Sequence, residues 1–298
     1  MEFDIWLYLQ ALVDGLLAGV TYSLVALGFV LIYKASGVFN FAQGTMVFMA
    51  ALTFVSLLEQ NWPLVLAAAA TIAVMLALAT AIERVVLRPL VNQAPIALFM
   101  ATIGLNFVIE GGTQAVWGSD PHALELGDPY ASSQLGQIFL VHNELYAAVV
   151  AALLVVALAL FFQKTRVGRA LRAVADDHQA ALSVGIPLRT IWIVVWTVAG
   201  IVAFVAGLVW GSRLGVQFSL SLLALKALPV LILGGFTSIP GAIVGGLIIG
   251  AGEKLAEVFV NNNFGMGGVE NFFPYLLAML FLMIRPEGLF GEKLIERV

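Results

Sequence analysis

Apolar residues fall along this chain in long runs, and polar residues punctuate the runs rather than alternating with them. The runs cover residues 7–33, 39–58, 63–82, 96–117, 145–162, 191–210, 239–260 and 272–284. Crossing ~30 Å of hydrocarbon at 1.5 Å per residue takes about 20 mostly apolar residues, so each run reads as a membrane helix. Residues 216–236 are also apolar but hold Lys226, Pro229 and the adjacent Gly234 and Gly235. They read as a broken span, with a re-entrant loop as the other reading. The pattern therefore predicts an all-α polytopic transmembrane bundle of about eight to nine spans, one domain over residues 1–298. Glu2 and Asp4 precede the first run where a signal peptide would carry basic residues, so that run reads as a retained span.

Composition supports the lipid reading. The 298 residues are 61% hydrophobic and only 11% charged, too little charge to wet the surface of a soluble domain. A net charge of −4 offers no basic field for nucleic acid, and the absence of cysteine excludes disulfides and thiolate metal sites. His122, His142 and His178 have no metal-ligand spacing. No nucleophile–base set or paired carboxylates are placed in a cleft by their spacing, and Asp176 with Asp177 reads as a solvated helix face. No GxxxxGK[ST] phosphate loop is present, because Lys164 and Thr165 lack the upstream glycines. No cofactor is expected, and energy for any uphill work must come from another subunit.

The placement of charge gives a sidedness. Short cytoplasmic loops are enriched in Lys and Arg, and residues 163–190 carry Lys164, Arg166, Arg169, Arg172 and Arg189. Setting that loop inside also puts Lys34, Arg84, Arg88, Arg285, Lys293 and Arg297 inside if 216–236 crosses, which accounts for 11 of the 14 basic residues. Residues 118–144, with Asp120, Glu125, Asp128 and Glu144 and no Lys or Arg, then face outward, as does the amino terminus.

Within the basic loop, residues 169–184 read as a short amphipathic helix with Leu171, Val174, Ala175, Ala181 and Leu182 at helical spacing. Gly185 suits a left-handed cap and Pro187 a stop just beyond it. Such a helix either docks in a protein groove or lies on lipid headgroups. Elsewhere, small residues four apart at Gly15/Gly19, Gly207/Gly211, Ala242/Gly246 and Gly246/Gly250 allow close helix approach, within one subunit or across a dimer. Gly-interrupted apolar stretches at 15–44 and 216–241 hint at the hidden symmetry of transporters.

At the basic loop the sequence resembles a known family. Gln179, Ala180, Ala181 and Gly185 resemble the E-A-A-x-x-x-G signature of binding-protein-dependent ABC importer permeases, with Gln179 at the Glu position and the downstream I-x-L-P portion unmatched. YSLVALGFVLIY at 22–33, SGVFNFAQG at 36–44, LILGGFTSIPGAIVGG at 231–246 and RPEGLF at 285–290 extend the likeness. Together they resemble the branched-chain amino-acid ABC permease family, H-type by length, over residues 8–291. The resemblance implies a subunit of the bacterial inner membrane that pairs with a second permease, two cytoplasmic ATP-binding subunits and an extracytoplasmic solute-binding protein. It implies ATP-driven alternating access for branched-chain or other apolar amino acids, with urea or short amides as the alternative cargo. It also implies that 163–190 docks on the ATPase through Arg169, Arg172, Asp176, Gln179, Ala180, Ala181 and Gly185. From a different class, a self-contained channel or an intramembrane enzyme stands as the competing reading.

Polar residues at membrane depth tend to mark pathways. Asn106 and Glu110 are four apart on one helix face and either bond each other or line a path. Lys226 needs a carboxylate, with Glu110 and Asp14 as candidates, or else snorkels to an interface. Asn40 and Gln43 beside Gly44 either cap a helix or face a solute, and Ser238 before Pro240 suits a helix cap.

Overall fold

The computed structural model describes residues 5–90, 93–126, 131–176 and 178–291. Lys293 and Arg297, counted in the charge argument, lie outside them, as do Asp128 and Asp177. The elements, in order, are α1 (Ile5–Ser36), α2 (Gln43–Glu59), α3 (Leu64–Ile82) running into a π-helical turn Glu83–Leu87, and α4 (Pro95–Trp117). A hairpin of β1 (Ser132–Leu135) and β2 (Ile138–Val141) precedes α5 (His142–Lys164). Then come α6 (Arg166–Asp176), α7 (His178–Ser183), α8 (Leu188–Leu214), a 3-10 turn Phe218–Leu222 and α9 (Leu223–Gly234). Last are α10 (Ile239–Phe264), a 3-10 turn Val269–Asn271 and α11 (Phe273–Ile284).

The expected all-α polytopic bundle is what the chain forms. Among the described residues five helices are long and apolar enough to cross a bilayer, or six when the bent pair Phe218–Gly234 and Ile239–Phe264 counts as one span. That pair turns through 114°. Two expected spans are shorter than their apolar runs. Gly37, at φ +71°, and the turn after it delay α2 to Gln43, leaving 17 residues. Pro274 opens α11, and the helix ends after 12 residues, just before Arg285 and Pro286.

The residues group into two compact units. The first comprises Met1–Ala26, Glu125–Val155 and Leu225–Val298. In it α1 lies against α10 through glycine on both sides. A Cβ on Gly15 would sit 2.6 Å from the Gly250 carbonyl oxygen, and one on Gly19 would sit 2.6 Å from that of Gly246. The repeats at Gly15/Gly19 and Gly246/Gly250 thus pack within one chain, backbone on backbone. Ser23 Oγ donates across the same seam to the Ile243 carbonyl at 3.1 Å. α10 starts as expected: Ser238 Oγ accepts from the Gly241 N–H at 3.0 Å, with Pro240 in the first turn.

The hairpin was not expected in what reads as a polar outer loop. Gly136, at φ +69°, makes its two-residue turn, with Leu135 opposite Ile138. Gln10 of α1 binds it like one more strand residue, donating to the Phe139 carbonyl and accepting from the Phe139 N–H, both at 2.8 Å.

The second unit comprises Leu27–Leu124 and Val156–Ala224. Here α2 packs on α3, α4, α8 and the 3-10 turn Phe218–Leu222. Gly207 of α8 seats against the Val47 carbonyl, 2.9 Å from where its Cβ would be, and Gly44 closes on the Ser221 carbonyl. Trp192 Nε1 donates to the Ala35 carbonyl at 3.1 Å, tying α8 to the end of α1. Phe29 stacks on Phe39, and Phe41 and Phe99 follow in edge-to-face contacts around the turn before α2.

Candidate functional site

The basic loop folds as two helices, of which α6 is held to the end of α5 and α7 packs on α6. Thr165 Oγ1 accepts from the Gly168 N–H at 3.1 Å and so caps α6. Gly168 packs on the Phe162 carbonyl where any side chain would collide. Arg172 turns back, its guanidinium donating to the carbonyls of Phe162 at 2.6 Å and Gln163 at 3.5 Å. It therefore satisfies orphan acceptors at the α5 C-terminus, where a cation is also favoured by the helix dipole. Leu171 and Val174 are buried, and α6 packs on α8.

The end of α7 is a Schellman motif. The Ile186 N–H reaches the Ala181 carbonyl at 3.0 Å, and the Gly185 N–H reaches that of Leu182 at 3.0 Å. Gly185 takes φ +85°, so glycine is there for its backbone freedom. This geometry sorts the signature residues by direction. Ala181 is buried within the chain, whereas Arg169 and Ala180 are exposed. Leu182 is 52% and Val184 80% exposed, which leaves two aliphatic side chains standing out beside a basic helix. The side chains of Asp176 and Gln179 lie outside the described residues.

Lys226, on α9, pairs with neither expected carboxylate. Its Nζ lies 3.8 Å from Glu253 Oε1 on α10. Asp14 instead accepts from Gln10 Nε2, at 2.8 and 3.0 Å. Glu253 is missing from the sequence-derived candidates although it interrupts an apolar run in the same way as Glu110. Tyr22 Oη donates to Glu253 Oε1 at 3.1 Å, and Glu253 Oε2 is buried without a hydrogen-bond partner. The Glu253 side chain is only 2% exposed and that of Lys226 32%, so the anion is enclosed by protein while the cation is part-exposed.

A second charged group begins one residue further along α10, at Lys254. Lys254 Nζ donates to Glu257 at 3.2 Å and to Glu270 at 3.0 Å. The Lys254 hydrogen bond holds the Glu270 carboxyl below the usual carboxylate range, against a smaller opposing effect of burial.

Asn40 and Gln43 are both buried in the second unit. Asn40 Oδ1 accepts from the Ala42 N–H at 3.1 Å, shaping the turn that leads into α2. Gln43 Nε2 donates to the Ala199 carbonyl at 3.4 Å, and its Oε1 is buried without a partner. Asn106 and Glu110 share a part-exposed face of α4 and make no hydrogen bond to each other among the described residues. At one end of α2, His122 Nδ1 meets Glu59 Oε1 at 2.8 Å, while the His122 backbone pairs with that of Val216.

Set against known proteins, the chain matches the profile of the family described as branched-chain amino acid transport system / permease component over residues 11–284. The chain belongs to this family. It is similar to the high-affinity branched-chain amino acid transport system permease protein BraD of Pseudomonas aeruginosa, 31% identical over 99% of each chain. It is likewise similar to the corresponding permease protein LivH of Escherichia coli, 29% identical over 98% of each chain. A solved structure, PsaBC from Streptococcus pneumoniae in complex with Fab, matches at a TM-score of 0.44 and 14% identity over 95% of this chain and 91% of that one.

As a member of this permease family the chain is a multi-pass membrane protein and an ABC-transporter component. Two of the stretches that carry the resemblance meet in its structure. The Leu289 N–H donates to the Leu233 carbonyl at 2.8 Å and the Phe290 N–H to that of Gly234 at 3.1 Å. The RPEGLF segment thus folds back on the glycine turn between α9 and α10. Gly235, at φ +101°, and Gly288, at φ +81°, let the two backbones touch there.

Proposed function

We propose that this chain is the permease subunit of an ABC importer that translocates branched-chain or other apolar amino acids by ATP-driven alternating access. The observation that carries this is family membership over residues 11–284, with relatives matched end to end whose names specify high-affinity branched-chain amino acid transport. The α6–α7 loop is the element that takes up the work of ATP hydrolysis. Arg172, Gly168 and the Gly185 cap fix it to α5 and α8, and Arg169, Leu182 and Val184 face a groove on the ATPase. Asp176, Gln179, Ala180 and Ala181 belong to the same docking segment, with Ala181 acting from the inside.

The partners in this reading are a second permease, two ATP-binding subunits and an extracytoplasmic binding protein. The whole chain acts as one permease domain in a bacterial inner membrane, with its amino terminus outside and 163–190 inside. In this reading residues 216–236 make a full crossing of their own, and α10 and α11 then leave Arg285 inside. The polar groups proposed for the pathway are Asn40, Gln43, Asn106 and Glu110 of the second unit and, within the first unit, Lys226 with its partner Glu253. Weak binding suffices there, because selection resides in the binding protein.

The test is uptake into proteoliposomes carrying the whole complex, with labelled leucine and labelled urea compared. ATP-dependent leucine uptake that needs the ATPase and the binding protein is the expected result. Transport by this chain alone would instead identify a self-contained channel.

A further inference from the structure

α3 and α4 each pack on α2 and leave between them a groove of about 690 Å³, floored by Met49 and walled by Leu78, Val85, Leu105 and Val108. Only 28% of the most apolar window of the first helix and 22% of that of the second are buried, so both turn apolar surface outward. At one end of the groove the π-helical turn Glu83–Leu87 carries exposed Arg84, with exposed Arg88 directly after it. Val85 lines the groove between them. Among the described residues neither arginine has an ion pair or side-chain hydrogen bond. The single acidic residue of that turn is unavailable to them: Glu83 is buried, with Oε2 facing Arg189 Nε at 3.8 Å. Trp117 stands at the other end, where indole rings favour a membrane interface.

We propose that this groove seats an acyl chain of an anionic phospholipid whose headgroup phosphate is held by Arg84 and Arg88. Aliphatic walls suit a hydrocarbon chain, and two uncompensated guanidiniums at its mouth suit a negative headgroup. The orientation proposed above enters only in assigning the lipid to the cytoplasmic leaflet. Gly112 lines the groove, and a Cβ there would meet nothing within 4 Å, so a larger side chain at this position fills the groove without touching backbone.

The test is native mass spectrometry of the intact complex in mild detergent, offered equal amounts of phosphatidylglycerol and phosphatidylcholine. Preferential retention of phosphatidylglycerol is expected, falling about fivefold for each arginine removed in Arg84→Gln and Arg88→Gln. Gly112→Phe should lower retention of both lipids. Equal retention of the two lipids by the unmodified complex, or an anionic preference untouched by the arginine changes, overturns the proposal. So does protein cover: a photo-crosslinking side chain introduced at residue 112 that joins this chain to another polypeptide in the assembled complex would place a second permease or a second copy in the groove.

Discussion

A carboxylate as buried as that of Glu253 is costly in hydrocarbon unless a cation and a hydrogen-bond donor stay with it, and Lys226 and Tyr22 supply both. Removing the cation alone strands the charge. Lys226→Met should therefore destabilise the chain by roughly 2–3 kcal/mol, less than for a fully buried pair because Lys226 is part-exposed. Adding Glu253→Gln, which keeps a partner for Tyr22, should recover most of that loss in thermal unfolding in detergent. Equal instability of the single and double variants would show that the two side chains are not coupled. Glu270 behaves differently because it lies outside the spans. Its carboxyl titrates below the usual range, so the contact with Lys254 contributes fully above the unfolded-state value and is lost as pH falls through the lower folded-state value. The contribution of such a part-exposed pair is about 0.5 kcal/mol, screened by salt. Lys254→Met should flatten the acid limb of the stability profile at low salt.

At the scale of elements, glycine decides which helices touch. A Cβ on Gly250 would run into the Gly15 carbonyl, whereas one on Gly112 meets open space. Gly250→Val should therefore lower folded yield and cost about 1–3 kcal/mol, while Gly112→Ala stays near neutral. Gly185→Val forces a β-branched residue into left-handed backbone, at about 1–2 kcal/mol, and disturbs the Schellman bonds that end α7. Insertion should persist while copurification of the ATPase falls. The sequence made the long helices legible because each is a nearly unbroken apolar run, and the cap at Ser238 and the stop at Gly185 carry local chemistry. The partner of Lys226 was hidden because it comes from another helix, and no spacing rule reaches that far. The hairpin at Ser132–Val141 was missed although residues 133–141 end in a short apolar stretch after Gly136, since a polar outer loop hides so small a sheet. The outward turn of Leu182, placed on the apolar stripe by spacing, was likewise unreadable, because direction follows from packing against neighbouring helices.

For the whole molecule, scarcity of charge first implies lipid, and the position of the charges then implies sidedness. Family membership makes the bundle a permease, and the structure gives it a packed, capped loop with two exposed aliphatic side chains at its end. In the proposed function that loop carries force from ATP hydrolysis into transport. The direct measurement is ATP-dependent uptake of labelled leucine by the reconstituted complex carrying Leu182→Asp and Val184→Asp, with insertion of the chain checked in parallel. A loss of at least about tenfold in uptake with the chain still inserted is expected, as burying two charges at a docking contact costs well over about 1.4 kcal/mol. Uptake equal to that of the unmodified complex would contradict that role.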